Sequence, residues 1–147
     1  MGNRYVSFLI GDNRFCAPIE QVLQILRHEN LQEIPKAPPF VEGVLNLRGD
    51  IIPVVSLRER LGLPGLAAKA VEAKKRRIIL AQAGGRRYGF SVDEVREIID
   101  IPATAVQEEA ASALGVRAEF ILGFAKVGDT LLLILDISRV LSPGGNP

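Results

Sequence analysis

The sequence predicts a mainly β protein made of two similar small antiparallel barrels. Three observations carry that prediction. First, the chain repeats itself once. The segment 14–26, RFCAPIEQVLQIL, aligns with 87–99, RYGFSVDEVREII, placing Phe15 on Tyr88 at an offset of 73. The segment 40–61, FVEGVLNLRGDIIPVVSLRERL, aligns with 120–141, placing Phe40 on Phe120 at an offset of 80. Second, short apolar runs recur at regular spacing, the pattern of barrels and sandwiches. Third, the runs are joined by glycine-bearing bends of the hairpin kind. Two copies suit two packed units and are too few for a solenoid.

The elements follow in order. YVSFLIGDNRFCAPI reads as two strands joined by Gly11-Asp12-Asn13, and RIILAQAGGRRYGFSV as two joined around Gly84-Gly85. GVLNLRGDIIPVV and FILGFAKVGDTLLLIL each place Gly-Asp between apolar runs. Pro53 cannot donate to a ladder, so its strand is expected at an edge or a bulge. SLRERLG and DISRVLS read as short helical turns, closed by Gly62 and halted before Pro143. The stretch 62–73 is rich in small residues and reads as a linker, with a boundary near residue 68. Thr104 and Gln107 are spaced as a capping box opening a short helix before Gly115, with a plain loop as the alternative.

Composition narrows the function classes. The 147 residues are 48% hydrophobic and 24% charged, which is globular. A net charge of +1 gives no global basic field to draw in nucleic acid or anionic membrane. The mean hydropathy of +0.20 leaves apolar surface for partners. A single cysteine, Cys16, excludes a disulfide framework and a Cys-rich zinc site, and its apolar flanks predict a packed thiol. There is no leader-like apolar region and no run near the roughly 18 residues of a membrane helix. Met1-Gly2 resembles a myristoylation start, but Val6 stands where Ser or Thr is needed. A cytoplasmic protein without direct membrane insertion is expected.

Catalysis needs a constellation of groups, and the sequence offers none. There is no phosphate loop, dinucleotide fingerprint or nucleophile elbow. Asp93-Glu94 and Glu108-Glu109 are adjacent pairs whose side chains diverge on a strand, and solvated surface is the preferred reading. His28, between Arg27 and Glu29, reads as a lone exposed histidine. The basic run Lys74-Lys75-Arg76-Arg77 lacks neighbouring aromatics and reads as a charged guard before the apolar strand that follows. No cofactor, metal or nucleic acid is expected. Arg48-Gly49-Asp50 is also the adhesion tripeptide, a role that requires export. Arg48 alternatively caps a hairpin.

The string PFVEGVLNLRGDIIPVVSLR, residues 39–58, resembles the signature of the CheW family of bacterial chemotaxis coupling proteins. FLIGDNRFCAPIEQVLQIL, RYGFSVDEVREII and GDTLLLILDISRVL resemble the family's other segments, so the likeness runs from Tyr5 to Ser142. The resemblance implies one domain, residues 1–147, of two five-stranded antiparallel β-barrels around a shared apolar seam. Its approximate subdomains are 1–68 and 69–147, with strands free to cross between them. It also implies a non-enzymatic adaptor coupling the histidine kinase CheA, through its regulatory domain, to the cytoplasmic hairpins of chemoreceptors. The adaptor would lie peripheral to membrane receptor arrays. An adaptor of a non-flagellar chemosensory pathway is the alternative. A ligand-binding barrel or hydrolase using Arg48, Gln24 and His28 is a more distant one.

A receptor groove is then expected at the seam, from Val22, Gln24, Ile25 and Arg48 of the first repeat and Val95 and Ile98 of the second. The kinase contact is expected at Phe40, Val41, Glu42 and Gly43, where Gly43 permits a close approach or a positive φ. One departure stands out. The family commonly has glutamate where this chain has Gln24, which removes an ion-pair partner for Arg48.

Overall fold

The computed structural model describes residues 3–62, 73–107 and 118–141. The first repeat supplies β1 (Arg4–Ile10), β2 (Asn13–Pro18), β3 (Val22–Arg27), β4 (Val41–Leu47), β5 (Asp50–Ser56) and α1 (Leu57–Leu61). The second supplies β6 (Arg77–Ala83), β7 (Arg86–Val92), β8 (Glu94–Asp100), β9 (Ile121–Val127), β10 (Thr130–Leu135) and α2 (Ile137–Leu141). The repeat thus maps β1 to β6, β2 to β7, and so on to α1 and α2.

The strands form two five-stranded sheets, ordered β8-β1-β2-β10-β9 and β3-β6-β7-β5-β4. Each sheet combines the first hairpin of one repeat with the last three strands of the other. A 3-10 turn at Ile19–Gln21 carries the chain from one sheet to the other, and the single residue Asp93 does the same between β7 and β8. The joins β5–β7 and β10–β2 are parallel, and the other pairings are antiparallel.

Alternation along the strands separates three apolar clusters. The central one lies between the sheets and includes Phe8, Phe15, Phe90, Phe120, Ile79 and Leu133. The ring of Phe8 lies 6.2 Å from that of Phe15, stacked, and 5.7 Å from that of Phe90, tilted, separations typical of aromatic packing. Each sheet also covers a smaller cluster of its own, with Cys16, Ile101, Ala125, Leu132 and Ile134 in one. Leu45, Ile52, Val54, Ile78 and Leu80 form the other.

The expected barrels are open sheets. Among the described residues, the edge strands of each sheet are linked only through one isolated bridge beyond the strand ends, Gln32–Val44 in one and Gln107–Phe124 in the other. Pro35, Pro38 and Pro39 lie between β3 and β4, and Pro102 follows β8. Proline has no N–H to extend a ladder.

Other expectations shift by a residue or a face. The β4–β5 bend is Arg48-Gly49, with Asp50 already in β5. Pro53 lies in a strand with neighbours on both sides, but it precedes Val54, where pairing with β7 begins. Thr104 lies in a 3-10 turn, Ala103–Ala105, and Gln107 forms the bridge to Phe124, so no capping box opens a helix there. The continuation toward Gly115, the pair Glu108-Glu109, the linker after Gly62 and the end of the second helical turn lie outside the described residues. α1 is capped as expected. The Ser56 hydroxyl accepts from the Glu59 N–H, and Gly62 takes the left-handed conformation at φ 62°.

Candidate docking site

β3 and β8 are the outer strands of different sheets and occupy equivalent places in the two repeats. Val22 and Val95 both pack, half-buried, against the central cluster. Ile25 and Ile98 turn outward and are 41% and 57% exposed. β3 and β8 share no backbone pairing. Each strand carries a bulge against its neighbour, between Val22 and Gln24 in β3 and opposite Val6–Phe8 in β8. A bulge re-aims the side chains that follow it. The result is a matched pair of exposed isoleucines rising from a common core.

The residues 40–43 are held from within. Phe40 is half-buried, and the Arg60 guanidinium lies 4.2 Å from its ring centroid and 4.9 Å from that of Phe120. Phe40 leads into β4 of one sheet and Phe120 into β9 of the other. Arg60 is 6% exposed, and its Nε donates to the Val140 carbonyl at 3.1 Å. It therefore clasps the two sheets together, and it was missed from sequence. A signal existed: the repeat aligns Arg60 with Val140, and Arg60 shares a helical face with buried Leu57 and Leu61. Glu42 accepts from His28 Nε2 at 3.0 Å and from Arg76 at 3.1 Å. His28 is thus a half-buried, partnered side chain instead of a lone exposed one. Gly43 has no positive φ. A Cβ there would lie 2.5 Å from the Gln32 carbonyl oxygen, so close approach is its reason for being glycine.

Arg48 stands exposed at the tip of the β4–β5 hairpin with φ 56°, followed by Gly49 at 91°. Two successive positive φ values make the tight turn that matches strand twist. At the equivalent position the second repeat has Gly128, at 62°. An arginine in this conformation costs about 1–2 kcal/mol that glycine does not. Among the described residues Arg48 makes no hydrogen bond or ion pair, with Gln24 or any other. Its neighbour Asp50 pairs with Arg87 beside a cavity of about 400 Å³ lined also by exposed Ile51 and by Tyr88. Strain held at an unpaired exposed cation favours contact outside the chain. Arg48→Asn should leave stability unchanged or raise it by up to about 1 kcal/mol, because asparagine tolerates this conformation. Thermal unfolding checks this, and a loss above about 1 kcal/mol would make Arg48 a structural tie.

The remaining candidates for chemistry are structural. Cys16 is fully buried, and burial pushes its thiol up to about 12. It stays protonated in the fold while the unfolded thiol ionises near 9, so its contribution is intact below about pH 9 and fades toward 12. Asp93 is buried, against expectation. It takes the Gly11 N–H at 2.6 Å and pairs with Arg58, tying the β1–β2 turn to α1. Among the described residues no group of His, Cys, Asp and Glu converges to hold a metal.

Fold and surface define a class first: a mainly β domain of two packed sheets, built from a swapped repeat, with exposed apolar and cationic groups suited to contacts with other proteins. The chain belongs to the CheW-like family, since the family model described as a CheW-like domain matches residues 4–143. It is similar to chemotaxis protein CheW of Helicobacter pylori, 30% identical over 138 residues, covering 94% of this chain and 81% of that protein. It is also similar to chemotaxis protein CheW of Treponema pallidum, 28% identical over 137 residues, covering 93% and 81%. Protein FrzA of Myxococcus xanthus is 27% identical over 139 residues, covering 93% and 84%. The crystal structure of the scaffolding protein TtCheW from Thermoanaerobacter tengcongensis matches with a TM-score of 0.88 at 28% identity, covering 99% of this chain and 92% of that one. The family is one of scaffold and adaptor proteins. Among the described residues no helix is long and apolar enough to cross a membrane.

Proposed function

We propose that this chain is a non-enzymatic coupling scaffold that joins the histidine kinase CheA to the cytoplasmic hairpins of chemoreceptors, working in the cytoplasm beneath a receptor array. The observation that carries this reading is the pair of repeat-matched isoleucines, Ile25 and Ile98, exposed on β3 and β8 above the core shared by Val22 and Val95. Exposed apolar side chains on two outer strands, with exposed Gln24 next to Ile25, suit an amphipathic helix laid in a groove, whereas Arg48 stands at the β4–β5 tip at the other edge of the β3 sheet. The hydrolase alternative loses its parts. His28 is committed to Glu42, and no hydrogen bond joins Gln24 to Arg48 among the described residues. The likeness to FrzA keeps a non-flagellar chemosensory pathway as the second reading.

The kinase contact is assigned to the segment Phe40–Gly43, with half-buried Val41 as its probe and Phe40, Glu42 and Gly43, each held by contacts within the chain, as supports. Co-purification with CheA and a receptor cytoplasmic fragment tests the whole reading, and binding to neither partner sinks it. Within it, Ile98→Glu should weaken receptor binding by at least about 10-fold in a folded protein. The basis is that burying one such side chain is worth about 1.5–3 kcal/mol and burying an unpaired charge is unfavourable. Calorimetric titration reads the change, and an unchanged affinity moves the groove elsewhere. Val95→Glu is the poorer probe, because Val95 also packs the core. Val41→Asp should lower CheA affinity and spare the receptor. Equal loss of both would point to one shared site.

A further inference from the structure

The two repeats place a cross-strand pair at the same point of each sheet, and they fill it differently. In the β1–β8 pairing Arg4 lies opposite Asp100, and the two form an ion pair at 3.3 Å. The equivalent residues in the β6–β3 pairing are Arg77 and Arg27, also directly opposite. One copy thus holds a matched pair of charges and the other holds two cations. Like charges directly across a strand pair destabilise a sheet.

The local structure does not relieve the mismatch. Arg77 Nη1 donates to the carbonyls of Lys74 and Arg76, both at 2.8 Å, which holds the guanidinium in place but brings it no counter-charge. Arg27, Arg77 and Lys74 line a groove of about 500 Å³ together with His28, Arg76 and one acid, Glu29. Among the described residues, no carboxylate lies within ion-pair distance of Arg27, Lys74 or Arg77. Arg76 is already committed to Glu42, and so is His28. Among the described residues the groove therefore presents three cations that form no ion pair, with Glu29 its single acid. Arg27 is two residues from exposed Ile25, so both project from the same face of β3.

We propose that the Arg27–Arg77 pair, with Lys74, is a seat for an acidic side chain of the docked receptor helix. The chain's own second repeat shows the complementary group, a carboxylate opposite arginine. The groove's open shape and lack of a Phe, Tyr or Trp to stack on a base favour a side chain brought in by a protein over a nucleotide. Ile25 would take the apolar face of that helix, and the cations would take a glutamate or aspartate beside it, which sets the helix's direction along β3. This rests on the reading of β3 as one wall of the receptor groove.

The test uses Arg27→Asp, which rebuilds within the chain the charge pattern of Arg4 and Asp100. The introduced carboxylate pairs with Arg77 and occupies the seat. The melting temperature should hold or rise. Affinity for the receptor cytoplasmic fragment should fall about 10-fold at low salt, and its salt dependence should flatten. Ile98→Glu is titrated in parallel. If Ile98→Glu weakens binding while Arg27→Asp matches the parent protein at every salt concentration, the seat is overturned and the groove stands. If neither variant weakens binding, or the parent protein does not bind, the groove reading fails and the proposal with it. Inorganic pyrophosphate provides the remaining arm. Tight binding that Arg27→Asp abolishes, with receptor affinity unchanged, would make the seat a phosphate site and overturn the proposal.

Discussion

Gly43→Asp should destabilise the fold by about 2–6 kcal/mol instead of removing a single partner contact. A Cβ at Gly43 would lie 2.5 Å from the Gln32 carbonyl oxygen and 3.1 Å from its carbon, both backbone atoms that cannot swing aside. Gln32 is the bridge residue that links the β3 side of the sheet to β4, through hydrogen bonds of 3.0 and 2.8 Å with Val44. Making room means breaking that bridge. Two hydrogen bonds at about 0.5–1.5 kcal/mol each, added to an overpacking cost of about 1–3 kcal/mol, give the figure. A carboxylate facing carbonyl oxygens adds repulsion. Such a loss is a large part of the 5–15 kcal/mol that typically holds a domain together. Gly123→Asp should behave alike, since its Cβ would meet the Gln107 carbonyl oxygen at 2.7 Å. Gly49→Ala is the control. It has open space around it and only its φ of 91° to strain. Urea denaturation reads all three, and a Gly43→Asp midpoint equal to the parent's would refute the close-packing account. Affinities for kinase and receptor should fall together in this variant, following the unfolded fraction. Gly43→Asp therefore cannot map the kinase surface, and Val41→Asp should be used for that.

The same glycine shows what the chain reveals by itself. Gly43 and Gly123 align in the repeat, and the structure gives them the same job against Gln32 and Gln107. Strands, hairpins and capped turns were legible because they depend on local periodicity and on residues at bends. The exchange of strands between the sheets was an open alternative that the sequence did not decide. The repeat aligns equally well whether a hairpin pairs with its own third strand or with the other copy's. The partners of His28 and Asp93 were hidden for a related reason. Glu42, Arg76 and Arg58 reach them through the fold, and no local pattern announces contacts across such separations. Arg48 was noticed because it interrupts an apolar run, yet its meaning came from backbone geometry. Arg48 and Gly128 share one left-handed position, and only one of them adopts it without strain. Within the candidate groove, the core-facing role of Val22 and Val95 followed from apolar pattern. The outward turn of Ile25 and Ile98 depends on bulges that the pattern does not encode.

Arg60→Ala should be the second large effect, about 3–5 kcal/mol. The guanidinium is buried between Phe40 and Phe120 and donates to the Val140 carbonyl, so truncation acts in at least three ways. It removes two cation–π contacts, each worth about 0.5–2 kcal/mol. It leaves the Val140 carbonyl without a side-chain donor among the described residues, at about 1–3 kcal/mol. It also opens space that neighbouring side chains fill only in part. For a chain of this size the melting temperature should drop by roughly 10 °C. Arg60→Met separates charge from volume, because it keeps an unbranched chain between the rings. It should recover part of the loss, and double-mutant cycles with Phe40→Leu and Phe120→Leu should give coupling energies of about 0.5–2 kcal/mol each. Coupling to both rings is the required result, since a clasp touches both sheets. Coupling to one ring alone would reduce Arg60 to a local packing residue. The consequence for docking follows from placement. β3 belongs to one sheet and β8 to the other, so the proposed groove draws on both sides of the joint that Arg60 closes. Arg60→Met, folded but with a looser joint, should weaken receptor binding more than its own exposure could explain. An unchanged receptor affinity in a destabilised Arg60→Met protein would show that the groove does not depend on how the sheets are joined.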